Sequence, residues 1–252
     1  MTDRLQEGTG WTGDAARSER RVRDVPVVVL VGVTGVGKST VLGAMRDLGV
    51  PFTLLPDRRA VTDAVMIEPF VGAPVTDREE RFRLTAAYRQ AHPGGMAEAL
   101  AALRVPNDAE VLLFDGLRGV NEVTHAARHL PLARFVALTA PDFVRVRRLL
   151  GRGDAFDAVE QADTAATARE ALNAIADVRD VFDDETLDAL ARLDVDSADL
   201  AAKTRIVVTE RRNYDPEATV RVLEGLPSER ALILDTVRYD AREIARRVME
   251  WL

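Results

Sequence analysis

The sequence predicts an α/β protein: a three-layer α/β/α core around a mostly parallel five-stranded sheet, with an acidic α-helical insertion. Three observations predict it. Short, continuous runs of β-branched and apolar residues, the first being "VVVLV" at 27–31, read as strands buried on both faces. Stretches with helical spacing lie between them, and this alternation is the pattern of a parallel sheet covered by helices. The third observation is a departure from the alternation. Residues 154–203 hold fourteen acidic against four basic residues, contain no convincing strand, and read as two or three helices.

Each element has its own signals. Residues 1–24, polar and then charged, read as a mobile arm with a short helix near Asp14–Arg23. After the strand at 27–31, a helix runs from about Lys38 to Leu48 and is stopped by Gly49 and Pro51. "FTLLP" is a second short strand. Thr76 or Asp77 caps the helix "TDREERFRLTAAYRQAH", with Glu79 and Glu80 in its first turn and Pro93-Gly94-Gly95 at its end. A helix from Met96 to about Leu103 follows, then a turn at Pro106-Asn107-Asp108. "EVLLFDG" is a third strand ending in Asp115, "NEVTHAARHL" a helix, "ARFVALTA" a fourth strand, and "PDFVRVRRLLGR" a helix opened by Pro141. "TRIVVTE" and "RALILDT" are further strand candidates, and "DAREIARRVMEWL" is the closing helix. The core is therefore placed at 25–153 and 204–252, with the insertion at 154–203 as a lid or a partner-binding module.

Composition removes several function classes. A chain of 252 residues, 47% hydrophobic and 30% charged, is that of a globular protein able to bury a core. A net charge of −7 argues against general nucleic-acid binding. The absence of cysteine excludes disulfides, thiolate metal sites and thiol nucleophiles, and fits a cytoplasmic protein. No apolar run approaches the roughly 20 residues of a membrane span. His125 and His129 share a helix face, but no third metal ligand is apparent.

Only two of the 34 basic residues are lysines, and one of them closes the segment Gly32–Ser39, G-V-T-G-V-G-K-S. That is a full match to the phosphate-loop pattern, between a buried strand and a helix. Gly32, Gly35 and Gly37 let the chain turn tightly, so that N–H groups around Thr34 and Val36 and the helix start form an anion nest. Lys38 adds a compact charge for the outer phosphates, Ser39 a hydroxyl for Mg²⁺, and Thr40 a hydroxyl for the α-phosphate. The cofactors expected are ATP or GTP with Mg²⁺. There is no N-K-x-D guanine-reading motif, and the chain is short for a ring-forming ATPase with a helical lid.

"EVLLFDGLRGVNEV" resembles the adenylate-kinase segment built around D-G-F-P-R, with Arg118 one position early and no proline. "FVALTAPDFVRVRRLLGR" is similar to the segment entering the lid of the same nucleotide-kinase group, and the order of elements also resembles guanylate kinase. The resemblance implies that Asp115 holds Mg²⁺ with Ser39, that Arg118 clamps an acceptor phosphate, and that Arg148 and Arg152 approach the base and the transferring phosphate. The loop after the last strand, Asp235–Arg238, would then touch the base.

The acceptor pocket of this group lies between the second and third strands, which here includes Asp57, Arg58 and Arg59. Arginines there would clamp an acceptor phosphate, Asp57 would act as general base toward a hydroxyl, or the segment is a turn with solvated arginines. The functional expectation is transfer of the γ-phosphate of ATP to a small-molecule acceptor. The alternative is a regulatory nucleotide-binding ATPase whose helical insertion engages a protein partner.

Overall fold

A computed structural model describes residues 19–106, 111–151 and 167–252. The strands are β1 (Glu19–Arg21), β2 (Val27–Val31), β3 (Thr53–Leu54), β4 (Arg104–Pro106), β5 (Leu112–Leu117), β6 (Ala133–Thr139) and β7 (Ala231–Asp235). The α-helices are α1 (Lys38–Asp47), α2 (Arg58–Val61), α3 (Glu68–Val71), α4 (Arg78–Ala91), α5 (Met96–Ala102), α6 (Val120–His129), α7 (Asp142–Leu150), α8 (Ala168–Asn173), α9 (Asp184–Ala191), α10 (Ser197–Tyr214), α11 (Pro216–Glu224) and α12 (Ala241–Trp251). A π-helical stretch, Thr62–Ile67, joins α2 to α3.

The expected five-stranded sheet is present, in the order β3-β5-β2-β6-β7. Every pairing in it is parallel. All five residues of β2 are buried, because alternate side chains feed two different cores. Val27, Val29 and Val31 pack with Phe114, Phe135 and the apolar faces of α4, α5, α6 and α11. Val28 and Leu30 pack with Leu113, Val136, Leu138 and the faces of α1 and α12. The layers are thus helix, sheet, helix, and the carboxyl ends of β2, β5 and β6 converge where α1, α6 and α7 begin.

Two sequence expectations are corrected. "TRIVVTE" is not a strand but the middle of α10. Asp196 caps this helix by accepting from Ala198 N and Asp199 N at 3.0 and 2.9 Å. Leu200, Thr204, Val207 and Val208 then fall on one buried face at helical spacing, so packing overrides the β-branched preference of Ile206–Val208. The short helix expected near Asp14–Arg23 is, from Glu19 on, strand β1, antiparallel to β4. Val22 behind it is fully buried and donates its N–H to Leu103 O at 2.9 Å. Residues 1–18 of the expected arm, the turn at Asn107-Asp108, and the opening of the insertion fall outside the described residues.

Helices α8, α9 and α10 have a core of their own, in which Leu172, Leu187, Leu190 and Leu200 meet Val146 and Leu149 of α7. Much of the acidity here is structural. Asp183 and Asp196 are helix caps, and Asp184 pairs with Arg169 and Arg179. Among the described residues no helix is long and apolar enough to cross a membrane.

Candidate functional site

The loop from Gly32 to Gly37 joins β2 to α1. Gly37 is the N-cap of α1 in the left-handed region, with φ 99°, and Gly35 has φ 86°. A Cβ on Gly35 would also stand 3.1 Å from Arg145 Cα, so the loop lies flat against α7. Lys38 reaches back over the loop and donates to Gly32 O at 2.8 Å. Burial lowers its pKa from 10.5 to about 8, with Asp115 opposing and Arg118 reinforcing that shift. Ser39 and Thr40 are exposed in the first turn of α1.

Asp115 lies in β5, where the register against β2 slips: Leu30 faces Asp115, but Val31 faces Leu117. The irregularity at Gly116 turns the strand end toward the loop, and places Asp115 Oδ1 3.8 Å from Lys38 Nζ. That oxygen is buried and accepts no hydrogen bond. A buried, unmatched carboxylate oxygen beside an exposed hydroxyl at Ser39 fits a hard cation held by one carboxylate and completed by phosphate oxygens and water. Among the described residues no three His, Cys, Asp or Glu side chains form an all-protein metal cage.

The flank of the loop holds a residue that sequence reasoning passed over. Glu210 of α10, only 6% exposed, accepts from Thr34 N at 2.9 Å and from Thr34 Oγ1 at 2.5 Å. It also takes Arg118 Nη1 at 2.9 Å and Arg145 Nη2 at 2.6 Å. Arg145, 1% exposed, further binds Thr34 O at 2.8 Å and Asp142 Oδ1 at 2.6 Å. Charge-assisted bonds of these lengths are the strong class. In the sequence Glu210 ends a segment that reads as a strand, which hides its approach to a loop 176 residues earlier.

The predicted acceptor residues separate. Arg58 forms a bidentate pair with Glu122 at 2.9 and 2.6 Å, and donates to Gly116 O at 2.5 Å. Burial alone would lower its pKa, but Glu122 more than reverses this, so the guanidinium stays charged. Glu122 also accepts Arg118 N, and the Tyr214 ring lies 5.9 Å from Arg58 Cζ and 6.0 Å from Arg118 Cζ. Arg58, Arg118, Glu122 and Tyr214 therefore form one cluster. Asp57 is not presented as a base: it caps α2, accepting from Ala60 N at 2.8 Å. Arg59 is exposed, with Asp63 4.0 Å away.

Arg148 differs from expectation. It donates to Gly35 O, Val36 O and Thr236, so it ties the loop to the turn after β7 instead of pointing at an anion. The reason is reach: α7 runs beside the loop's carbonyls, and Thr236 meets the guanidinium there. Arg152 lies outside the described residues. The His125 and His129 rings lie 4.2 Å apart, centre to centre, tilted by 32°. Burial, with His129 adding to it, lowers the His125 pKa below its ordinary value, and Glu98 acts in the opposite sense. An apolar cavity of about 430 Å³ lies behind the loop among Val33, Val36, Thr139 and Val220. Neither Lys38 nor Asp115 lines it.

The profile of the AAA domain family (AAA_18) matches residues 28–166. A UPF0200 protein of Methanoculleus marisnigri is 31% identical over 139 residues, 53% of this chain and 70% of that protein. A guanylate kinase of Frankia casuarinae is 35% identical over 141 residues, 50% of this chain and 72% of that protein. Among solved structures, shikimate kinase from Acinetobacter baumannii in complex with shikimate covers 90% of this chain and 93% of its own. The identity there is 16% and the TM-score 0.40, a likeness too loose to carry an argument about the site.

Proposed function

The chain belongs to the AAA domain family and has a kinase-like phosphate-loop core, which implies nucleotide binding; from that premise we propose that it moves the γ-phosphate of ATP to a small-molecule acceptor. The observation that carries the reading is the pairing of Lys38 with Asp115. A buried ammonium sits 3.8 Å from a carboxylate that has one buried oxygen without a hydrogen-bond partner, at the junction of loop and sheet. The carboxylate oxygen is left without a partner and the ammonium is parked on loop carbonyls, as groups that await a ligand are.

In this reading the amides of residues 33–40 hold the polyphosphate, and Lys38 exchanges Gly32 O for phosphate oxygens. Mg²⁺, held by Ser39 and Asp115, would neutralise phosphate charge when bound. Arg58, whose guanidinium Glu122 holds, and Arg118, whose guanidinium Glu210 holds, supply positive charge from the acceptor side. Their work is positioning and charge compensation, which is most of what phosphoryl transfer asks of a protein. Arg148 keeps the loop in shape by holding its carbonyls.

The purified chain with Mg²⁺ and ATP, challenged with a panel of nucleotides, sugar phosphates and hydroxy acids, tests the proposal. Rapid formation of one phosphorylated acceptor, abolished in Lys38→Ala, is the expected result. Slow hydrolysis indifferent to every acceptor would sink it and support the second reading. In that reading nucleotide occupancy controls a protein partner through the acidic helices. The contact between Glu210 of α10 and Thr34 N favours it, because it wires that region directly to the loop.

A further inference from the structure

A second cavity, about 490 Å³, opens on the other side of the Arg58–Glu122 pair. Its walls are α4, the Pro93–Gly95 turn, α6 and the end of α10. It is lined by basic and polar groups, whereas the cavity behind the loop also has Asp142 and Glu217 among its arginines. Arg89 of α4, Arg128, His125 and His129 of α6, and Asn213 of α10 all face it. Among the described residues Glu122 is its only acidic lining residue, and that carboxylate is already taken by Arg58 and by Arg118 N.

The cationic groups have little else to do. Arg89 makes one hydrogen bond, from Nε to Thr85 O at 3.2 Å, and has no carboxylate partner among the described residues. Arg128 is exposed and likewise has no ion-pair partner among them. The His125 ring lies directly against Gly94, where a Cβ would overlap it, so the imidazole is pinned at the cavity wall. The His129 ring lies 4.2 Å from it, tilted by 32°. Two guanidiniums without a carboxylate partner among the described residues line this concavity with the imidazole nitrogens beside them, and an anion placed there would accept charge-assisted hydrogen bonds from the guanidiniums. Tyr214 and Glu122 line this cavity and also belong to the Arg58–Arg118 cluster, so the cavity is continuous with the acceptor side of the site.

We propose that this cavity is an anion subsite for the acceptor, holding a phosphate group that the acceptor already carries while its other end faces the loop. The proposal deepens the phosphotransferase reading and rests on it for the word acceptor. The anion site itself stands on the cavity alone. It assigns the substrate class as a small phosphate monoester, and makes Arg89 and Arg128 binding residues.

The chain has three histidines, so their ring signals in a proton–carbon correlation spectrum can be assigned by substitution. Inorganic phosphate is titrated into the full chain. His92, which is 2.8 Å from Glu98, serves as the internal reference. The expected result is saturable movement of the His125 and His129 signals. It should survive in Lys38→Ala, and weaken about tenfold in Arg89→Gln and in Arg128→Gln, roughly the loss of one charge-assisted contact. Both arginines are exposed, so thermal unfolding of these variants should match the parent chain. Absence of saturable movement overturns the proposal. So do shifts that vanish with Lys38 and persist without Arg89 and Arg128, which would place the phosphate in the loop. The broader reading fails differently: phosphate still moves the histidine signals, but no acceptor receives phosphate from ATP.

Discussion

The two flanks of the phosphate loop are built on opposite principles. On the sheet side, Lys38 and Asp115 stand 3.8 Å apart, Lys38 donates to a loop carbonyl, and one oxygen of Asp115 has no hydrogen-bond partner. On the helix side, Glu210 accepts from a loop amide, a hydroxyl and two arginines, and Arg145 is itself bound to three partners. The first flank leaves a buried carboxylate oxygen unmatched and the second is saturated. The difference separates what the fold keeps for a ligand from what it spends on holding the loop still.

The largest expected consequence is in stability. Arg145→Ala leaves Glu210 and Asp142 buried with one cation fewer, and breaking such a pair from one side costs about 3–5 kcal/mol. Lys38→Ala should do the reverse or nothing at pH 7, because a buried ammonium with a lowered pKa is itself a cost to the fold. Urea unfolding of both variants checks the contrast. Similar losses in the two would erase the distinction between the flanks.

The same division explains what could be read from the sequence. The open flank was legible because it is local. Eight contiguous residues, Gly32–Ser39, encode the loop and its lysine, and the D-G that follows an apolar run marks Asp115. The parallel sheet followed from alternation, and β2, β5, β6 and β7 were found where their apolar runs stand. The saturated flank was not legible. Glu210 acts 176 residues from Thr34, on a helix whose "IVV" run imitates a strand until its buried face is seen to repeat at helical spacing. Arg145 looked like one of several arginines on a helix face, and only its depth, 1% exposed, sets it apart from Arg147 and Arg148. Asp57 was offered as a general base, and the chain uses its carboxylate as a helix cap instead. Spacing states which residue types sit near a turn, but it does not state which of them the chain returns to meet.

A smaller effect tests whether the saturated flank also senses the ligand. Glu210→Gln keeps the shape of the side chain, removes its charge, and turns a donor toward groups that already donate. Stability should fall by about 1–3 kcal/mol, as for a mismatched buried hydrogen bond. Nucleotide affinity should move the other way and rise about tenfold, because a carboxylate on the Thr34 amide repels an incoming polyphosphate. Calorimetry with ATP and Mg²⁺ reads the second quantity and urea unfolding the first. A variant that loses affinity along with stability would make Glu210 a brace and nothing more.

The smallest effect belongs to the open flank and is read in protons. Lys38 has its pKa lowered from 10.5 to about 8, chiefly by burial. Between those two values the unfolded chain holds the proton more tightly than the folded one, so the Lys38 contribution makes the empty protein more stable as pH rises from 8 to 10.5. A polyphosphate in the loop favours the charged ammonium and pulls the pKa back up. Binding near pH 8–9 should therefore take up a fraction of a proton, and ATP affinity should decline as pH climbs past about 8. Calorimetry in buffers of different ionisation heat measures the uptake directly. Arg58, whose pKa Glu122 raises, stays charged over this range and adds nothing to that slope. A proton uptake that persists unchanged in Lys38→Met would mean that the titrating group lies elsewhere, and that the buried lysine is not what meets the phosphate.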